Sequence, residues 1–479
     1  MITQLRLQNF KTWQDTTSLR LAPITVFFGG NSSGKSSIGQ FLLMLRRTVE
    51  QPDRNMVFYT ADDQSMMHLG SYSSYVFDGE TERDVDFEIE WKGEGWKRLV
   101  DPLHSRRHVW SQMKFHGKVG QLADSERVVC KEFSYVLPER RVRMVSRAGT
   151  PRIETVPEVR VGMERTNGGE KFRLVTSEYK AKHSPGRAWP LPTPARFYGF
   201  PEELYSYFQN VAGFAGLQLE LERVLKSIQY LGPLRQYPKP SYTWAGQAPS
   251  DVGFQGENTV AALLAGAERT FNVGGKTRYA PLQQVVARWL VKLGVAEDFE
   301  VECASKSTHT YRTLLKMPGR KKRMTLAAVG SGVSQVLPVV TQAFYAPPNS
   351  AIIIDQPESH LHPAVQSELA DLFIEAIRTK EHGTERNVQF LIESHSEHFL
   401  RRLQRRVAEQ KLKPEEVAVY FCEAPDNGMG SGIRPLEADK YGRIKNWPKN
   451  FFGDQMTDVA EMRKAGLKRE MAAAKGAKV

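Results

Sequence analysis

A segment near the start of the chain carries the residue types of a phosphate-binding loop. It follows the apolar run Ile24–Phe28 and precedes a stretch with helical spacing from Ser36 to Val49. In a strand, loop and helix of this kind, backbone N–H groups at the helix N-terminus bind phosphates. Lys35 then meets the outer phosphate oxygens, and Ser36 ligates Mg²⁺. The residues expected to bind the nucleotide are Gly29, Gly30, Asn31, Ser32, Ser33, Gly34, Lys35, Ser36 and Ser37.

A second segment, far downstream, supplies the acidic residue that such a site needs. The apolar run Ala351–Ile354 ends at Asp355. A buried strand that ends in a carboxylate suits the other side of a magnesium shell. The alternative is a Gly/Ser-rich turn and an unrelated core strand, but the context fits a site at both positions. The two segments predict ATP and Mg²⁺ as cofactors, with Ser36 and Asp355 as metal ligands.

Two more loops fit an ATPase head of the ABC type. One is a Gly/Ser loop directly before a helical stretch, and in ABC-type dimers such a loop reaches the γ-phosphate held by the other subunit. Its candidate nucleotide-binding residues are Gly330, Ser331, Gly332, Ser334 and Gln335. A turn of this kind is common before helices, but its position shortly before Asp355 favours function. The other is an apolar strand, Phe390–Ile392, followed three residues later by His395, which favours a switch histidine over a core histidine.

The residues after Asp355 depart from the usual ATPase pattern. Gln356 stands where ABC-type ATPases usually carry the glutamate that polarises water, and an amide orients water but accepts no proton. Glu358 is a candidate substitute, so the catalytic candidates are Gln356, Glu358 and His395. A metal site built from the nearby histidines is the alternative, but their spacing matches no two-histidine helix motif.

Length and spacing predict an α/β fold: an ABC-type P-loop ATPase head split in sequence by an inserted β-rich and helical lobe. Alternating residues such as those of Val85–Trp91 predict strands, and helical spacing occurs at 202–230, 282–293, 333–345 and 366–377. The expected divisions are residues 1–83 (first part of the head), 84–200 (β-rich lobe and Pro-rich linker), 201–310 (helical lobe), 311–425 (second part of the head) and 426–479 (C-terminal extension).

The composition gives expectations for the cell compartment of the protein and for the kinds of partner it binds. The chain has 479 residues, 41% of them hydrophobic, and a formal net charge of +12. This charge fits either an acidic partner, such as nucleic acid or an acidic protein surface, or a solvated basic surface. The three cysteines form no close pair. With no signal peptide and no membrane-spanning run, the sequence predicts a cytoplasmic protein without a membrane partner.

Several motifs resemble those of the OLD-type (overcoming-lysogenization-defect) branch of ABC ATPases. They are Asp355–Pro363, Gly332–Pro338 and Glu393–His398, and Tyr230–Arg235 and Tyr441–Phe452 also resemble segments of one subgroup. That subgroup accompanies bacterial defence operons and resembles the ATPase subunits of the PARIS and Septu anti-phage systems. The resemblance implies a sensor and regulatory scaffold that forms a homodimer or higher oligomer. It also implies a separate effector and a phage-encoded trigger, either protein or nucleic acid. Glutamine after the acidic residue is not unusual in this subgroup.

Two rival functions remain open at this point. OLD nucleases carry a Toprim domain with a glutamate in an early strand and a later Asp-x-Asp motif, whereas the residues after Cys422 include Glu423 and Asp426 but no Asp-x-Asp motif. A self-sufficient nuclease is therefore disfavoured, and we expect the effector to be another polypeptide. The second rival is a DNA-repair or recombination ATPase that binds duplex DNA. Basic residues at 319–323 and at 401–406 fit phosphate or acidic-protein contact, or a solvated charged surface.

Overall fold

The computed structural model describes residues 1–60, 69–101, 106–122, 125–138, 140–145, 151–166, 171–186, 189–272, 279–425, 430–448 and 461–467. Asp426, residues 449–452 of the segment noted above and the tail after residue 467 lie outside these ranges. The strands, numbered along the chain, are β1 (Ile2–Phe10), β2 (Trp13–Asp15), β3 (Leu19–Arg20), β4 (Ile24–Gly29), β5 (Val85–Asp101), β6 (Arg106–Gln121), β7 (Val128–Leu137), β8 (Arg140–Val145), β9 (Pro151–Val156), β10 (Val159–Arg165), β11 (Phe172–Ser177), β12 (Ile228–Leu231), β13 (Tyr242–Thr243), β14 (Thr270–Asn272), β15 (Tyr279–Pro281), β16 (Asp298–Ser305), β17 (Thr310–Lys316), β18 (Arg323–Thr325), β19 (Ala351–Asp355), β20 (Lys380–Glu381), β21 (Thr384–Glu385), β22 (Gln389–Glu393), β23 (Val417–Glu423) and β24 (Gly432–Pro435). The helices are α1 (Lys35–Glu50), α2 (Tyr72–Tyr75), α3 (Glu202–Tyr207), α4 (Phe214–Lys226), α5 (Thr259–Ala265), α6 (Leu282–Lys292), α7 (Ser331–Tyr345), α8 (Pro363–Arg378) and α9 (Glu397–Ala408), with 3₁₀ turns at Phe77–Gly79, Leu326–Ala328 and Pro414–Glu416.

A mostly parallel sheet positions the site. Its strand order is β12-β19-β22-β4-β23, and β24 adds an antiparallel edge strand. The apolar strands β4, β19 and β22 are almost completely buried, as expected for parallel strands covered by helices on both faces. Because these three strands are neighbours and run in the same direction, the phosphate loop, Asp355 and Glu393 lie at one edge of the sheet.

A second, antiparallel sheet packs on the other side of α1. Its order is β11-β10-β7-β6-β5-β1-β2, and β3 pairs with β1. The sequence predicted a β-rich lobe at 84–200 inserted on the head. The strands are present, but β5 pairs with β1, so they extend the sheet that the N-terminal segment begins.

Helix α1 lies between the two sheets and joins their cores. The Phe41 ring meets Phe10 and Phe87 edge-on, with centroid distances of 5.1 and 5.0 Å. On the other side, Gly39 brings the helix close to β19, because a Cβ there would lie 3.1 Å from Ile353 Cγ2. The helix that begins at Lys35 is therefore held on both faces.

Helices α5 to α9 contribute the second core, on the opposite face of the parallel sheet. The helices predicted from apolar spacing at 282–293, 333–345 and 366–377 are α6, α7 and α8. The prediction of helix at 202–230 is confirmed for α3 and α4, but residues 208–213 between them are not helical, and Ile228 begins β12. None of the helices that the structure describes is long and apolar enough to span a membrane.

Candidate nucleotide-binding site

The loop between β4 and α1 has a backbone that only glycine permits at one position. Gly34 has φ +85°, and a Cβ there would lie 2.5 Å from Thr12 Oγ1 and 2.8 Å from the Trp13 ring. Trp13 Nε1 donates a hydrogen bond to Gly34 O at 3.1 Å. Trp13 therefore packs against the loop at Gly34, and no sequence motif predicted this contact.

The residues of this loop fit a bound phosphate group. A Cβ on Gly30 would meet nothing within 4 Å, so the loop has open space there. The first turn of α1 contains no acidic residue that would compensate its positive end. Within the described part of the chain, Ser33 Oγ is buried and has no hydrogen-bond partner. Lys35 Nζ donates to Gly29 O at 3.2 Å and to Gly30 O at 2.7 Å, and so remains at the mouth of the loop.

Two buried carboxylates lie beside this loop. Asp355 and Glu393 are paired neighbours at the ends of β19 and β22, and each is less than 10% exposed. Tyr230 Oη donates to Asp355 Oδ2 at 2.7 Å. Burial, and then the charge of Glu393, raise the pKa of Asp355 from 3.8 to about 7. A cation between these groups would relieve their repulsion, so the donor set suits Mg²⁺.

Glu393 contacts both functional residues at the start of α1. Ser36 Oγ donates to Glu393 Oε2 at 2.6 Å, and Lys35 Nζ lies 3.9 Å from Glu393 Oε1. Glu393 begins the motif Glu393–His398, which by itself predicted no role for this carboxylate. The available signal was a carboxylate that ends an apolar strand two residues before His395.

The backbone after Asp355 is held in an unusual conformation. Gln356 has φ +46°, and its N–H donates to Glu393 O at 2.9 Å. The buried Arg235 guanidinium donates to Asp355 O at 2.9 Å and to Gln356 O at 3.1 Å. Burial lowers the pKa of Arg235 to about 10. Arg235 thereby fixes the end of β19, a role that the motif Tyr230–Arg235 alone did not reveal.

The predicted catalytic residues Glu358 and His395 are in direct contact. Glu358 Oε1 accepts hydrogen bonds from His395 N at 2.6 Å and from Ser394 Oγ at 2.9 Å. Burial raises the pKa of Glu358, whereas burial and the charge of Lys35 lower the pKa of His395. Glu358 therefore ties the end of β22 to the loop after Asp355, and the His395 side chain remains exposed.

The Gly/Ser loop before α7 divides into an accessible and a buried part. Gly330 is exposed and Gly332 is partly exposed, and a Cβ on Gly332 would lie 3.6 Å from His360 O. Ser334 and Gln335 are only 6% and 9% exposed within their own chain. The expected contact of Ser334 with a second subunit's nucleotide stays a prediction. Ser331 begins the helix, and the loop N–H groups remain candidates for such a contact.

The basic residues at 319–323 and 401–406 differ in their ion pairs and in the exposed fraction of their side chains. Arg402 and Arg406 both donate to Asp371, at 2.6 and 2.5 Å for the shortest contacts, and are mostly buried. Arg401 and Arg405 pair with Glu397 and Glu409 but keep more than half of their side chains exposed. Residues 317–322 form the turn between β17 and β18, and Arg323 in β18 pairs with Asp298 and Glu300. Among the described residues, His, Cys, Asp and Glu side chains form no group of three placed to hold a metal ion.

Comparison with known proteins supports the interpretation of this site as that of an ATPase. Residues 312–401, which include α7, Asp355 and His395, match the family model "AAA domain, putative AbiEii toxin, Type IV TA system". Residues 412–462 match a family of unknown function, DUF3696. No curated protein matches the sequence.

Solved structures that resemble the chain include three ATPase heads of SMC proteins. The SMC head domain from Thermotoga maritima is 12% identical, with 91% of this chain and 99% of that chain covered and a TM-score of 0.38. The SmcHead bound to the C-winged helix domain of ScpA is 12% identical, with 92% and 98% covered and a TM-score of 0.43. The Smc head domain bound to the C-terminal domain of ScpA derived from Pyrococcus furiosus is 11% identical, with 96% and 99% covered and a TM-score of 0.41. From its strand order, its loop and its matched family model, the chain has the ABC-type P-loop ATPase fold.

Proposed function

We propose that the protein binds ATP with Mg²⁺, hydrolyses it slowly and acts as sensor and regulatory scaffold of a bacterial anti-phage system. The main support for ATP binding is that Lys35, Ser36, Asp355 and Glu393 lie together at one edge of the parallel sheet. Lys35 would neutralise the outer phosphates, and Ser36 and Asp355 would hold the ion. A bound magnesium ion supplies positive charge that offsets the negative charge developing on the phosphate oxygens.

Slow hydrolysis follows from the groups available to activate water. Gln356 orients water but cannot accept its proton. Glu358 is engaged with His395 N and Ser394 Oγ, and it is buried. The pKa of His395 is lowered, first by partial burial and then by the charge of Lys35. The site thus lacks an exposed carboxylate base beside Asp355.

The defence role rests on the motifs and on the family model. Asp355–Pro363 and Glu393–His398 resemble the OLD-type branch, and the matched model describes a putative toxin of a type IV toxin–antitoxin system. We infer a homodimer, or a higher oligomer, through composite ATP sites. A separate effector and a phage-encoded trigger complete the proposal.

A DNA-repair or recombination ATPase is the second candidate. Its supporting observation is an exposed basic surface: Lys440, Arg443 and Lys445 are all exposed. Helix α9 contacts this segment, because Gln404 Nε2 donates to Gly442 O at 2.8 Å, and Arg405 on the same helix is more than half exposed. Such a surface suits a nucleic-acid backbone.

One experiment separates the two candidates. The gene and its neighbours are transferred to a phage-sensitive bacterium, in wild-type and Lys35→Ala forms, and plaque formation is counted. In parallel, ATP hydrolysis by the purified protein is measured with and without duplex DNA. We expect protection only with wild type and no stimulation by DNA. Unchanged plaque counts across several phages, together with strong stimulation by duplex DNA, would favour the repair function instead.

A further inference from the structure

Glu393 lies at the place where the magnesium ion of a bound nucleotide would be held. It is the last residue of β22, between β4 with its phosphate loop and β19 with Asp355. Its side chain is 8% exposed, so the carboxylate is almost entirely removed from water. A buried carboxylate needs hydrogen bonds or opposite charge to remain there.

The hydrogen bond between Ser36 and Glu393 leaves Ser36 free to bind a cation. A serine hydroxyl has one hydrogen to donate and two lone pairs. Ser36 Oγ gives its hydrogen to Glu393 Oε2 at 2.6 Å, so its lone pairs are available to an ion. A carboxylate acceptor also fixes the rotation of the hydroxyl and makes its oxygen a stronger ligand.

The charges at the site make a second carboxylate useful. Gln356 is neutral where a glutamate would bring negative charge next to Asp355. Glu393 brings such a charge from the neighbouring strand, 3.9 Å from the ammonium group of Lys35. With Asp355 and Glu393 together, two carboxylates face one lysine, which leaves net negative charge for a divalent cation.

We propose that Glu393 is a positioning residue of the magnesium site, which orients the Ser36 hydroxyl toward the ion and supplies the carboxylate charge that Gln356 lacks. This inference rests on the proposed function, because it assigns a role at the same ATP site. Glu393→Gln should leave the shape of the site intact and remove the charge. Partners of this kind typically account for about 10–100-fold in metal affinity.

The test measures metal affinity apart from hydrolysis. Binding of a fluorescent ATP analogue to the full-length protein is titrated with MgCl₂, and the same binding is measured in EDTA. We expect Glu393→Gln to raise the magnesium midpoint by about 10–100-fold while binding in EDTA changes by less than about threefold. In a Ser36→Ala background, the second substitution should add little, because the two residues act as one unit.

A matched control is Glu423→Gln, at the end of β23, which is separated from β22 by β4 and where the carboxylate pairs with Arg434. It should leave the magnesium midpoint unchanged. If Glu393→Gln fails to fold, Glu393→Asp keeps the charge but withdraws it from Ser36, and it should also weaken magnesium binding. A wild-type midpoint in the folded variant, or full additivity with Ser36→Ala, would overturn the inference. Failure of wild type to bind the nucleotide at all would instead refute the proposed ATP site.

Discussion

Lys35 is the residue on which nucleotide binding should depend most. Its ammonium group contacts the carbonyl oxygens of Gly29 and Gly30 at the mouth of the loop, and no other described lysine or arginine shares these contacts. Lys35→Ala should abolish ATP binding and leave the fold intact, because the hydrogen bonds of Lys35 lie within the loop and Ser36 still donates to Glu393. Calorimetry with ATP, alongside a circular dichroism spectrum, measures both. Tight binding by a well-folded variant would contradict the assignment of the site.

Asp355 should make the stability of the protein fall as pH rises. Its pKa is raised in the folded chain from 3.8 to about 7, by burial and then by Glu393. Between these values the unfolded chain loses the proton that the folded chain keeps, so unfolding becomes easier from pH 4 to pH 7. Asp355→Asn keeps an acceptor for Tyr230, so it should raise the melting temperature more at pH 8 than at pH 5. The comparison is made without nucleotide or magnesium.

Asp371 provides a control of the opposite sign for this experiment. Burial alone would raise its pKa, but hydrogen bonds from Arg406 and Arg402 outweigh it and lower the pKa. A depressed pKa gives stability that is present above the unfolded value and lost as pH falls. Asp371→Asn should therefore lower the melting temperature at pH 8. If both variants shift the melting temperature in the same direction, the electrostatic account of Asp355 is wrong.

At the residue scale, the sequence predicted the groups whose role depends on local spacing. Lys35 and Ser36 follow a glycine loop, and Asp355 ends an apolar strand, so each has a local signature. Glu393 and Arg235 act through partners far away in sequence, which periodicity does not reveal. Only the strand order brings Glu393 to Ser36 and Arg235 to the end of β19.

At the scale of elements, substitutions at the N-terminus of α7 test whether each ATP site is formed by two subunits. Ser334 is buried, so a large side chain there would disturb its own subunit, whereas a Cβ at Gly332 meets nothing closer than 3.6 Å. Gly332→Arg should block hydrolysis and keep ATP binding. Mixed with Lys35→Ala, it should restore one working site per mixed dimer. Mixtures that hydrolyse no more ATP than the two parents, despite subunit exchange, would count against contacts between subunits.

The loop after β12 should matter through Arg235, which binds the end of β19. Arg235→Met would leave the carbonyls of Asp355 and Gln356 without these donors. We expect a loss of about 2–4 kcal/mol in the free energy of unfolding and slower hydrolysis, because buried acceptors without partners are costly. The control Arg434→Met removes an exposed ion pair with Glu423 and should cost less than about 1 kcal/mol. If urea denaturation shows equal losses in the free energy of unfolding for the two variants, Arg235 does not have this role.

The sequence predicted which segments form helices and strands more completely than it predicted which strands pair in the same sheet. Helical spacing identified α6, α7 and α8 because one face of each is apolar. The strands after residue 84 were also expected, but their pairing with β1 depends on contacts between segments distant in sequence. For this reason the sequence could not show that one antiparallel sheet includes both segments.

For the whole molecule, the arrangement of the site favours a long-lived ATP-bound assembly. Gln356 provides no general base, and general acid–base catalysis typically contributes on the order of 10²–10⁴ in rate. Glu358 holds His395 N through its carboxylate, so Glu358→Ala should reduce hydrolysis further by releasing the end of β22. A slow enzyme keeps its ATP-bound form for long periods, which suits a sensor that waits for infection.

Steady-state kinetics with oligomer size measured in parallel test this picture. We expect weak basal hydrolysis, dependence on magnesium that is lost in Asp355→Asn, and a larger assembly with ATP than without it. The physical reason is that ATP, held between a phosphate loop and the α7 N-terminus of a second subunit, would link the two until hydrolysis separates them. Turnover of many ATP molecules per second without a partner would mean that the assembly is short-lived. Full activity in Glu358→Ala would show that the tie between Glu358 and His395 does not matter for catalysis.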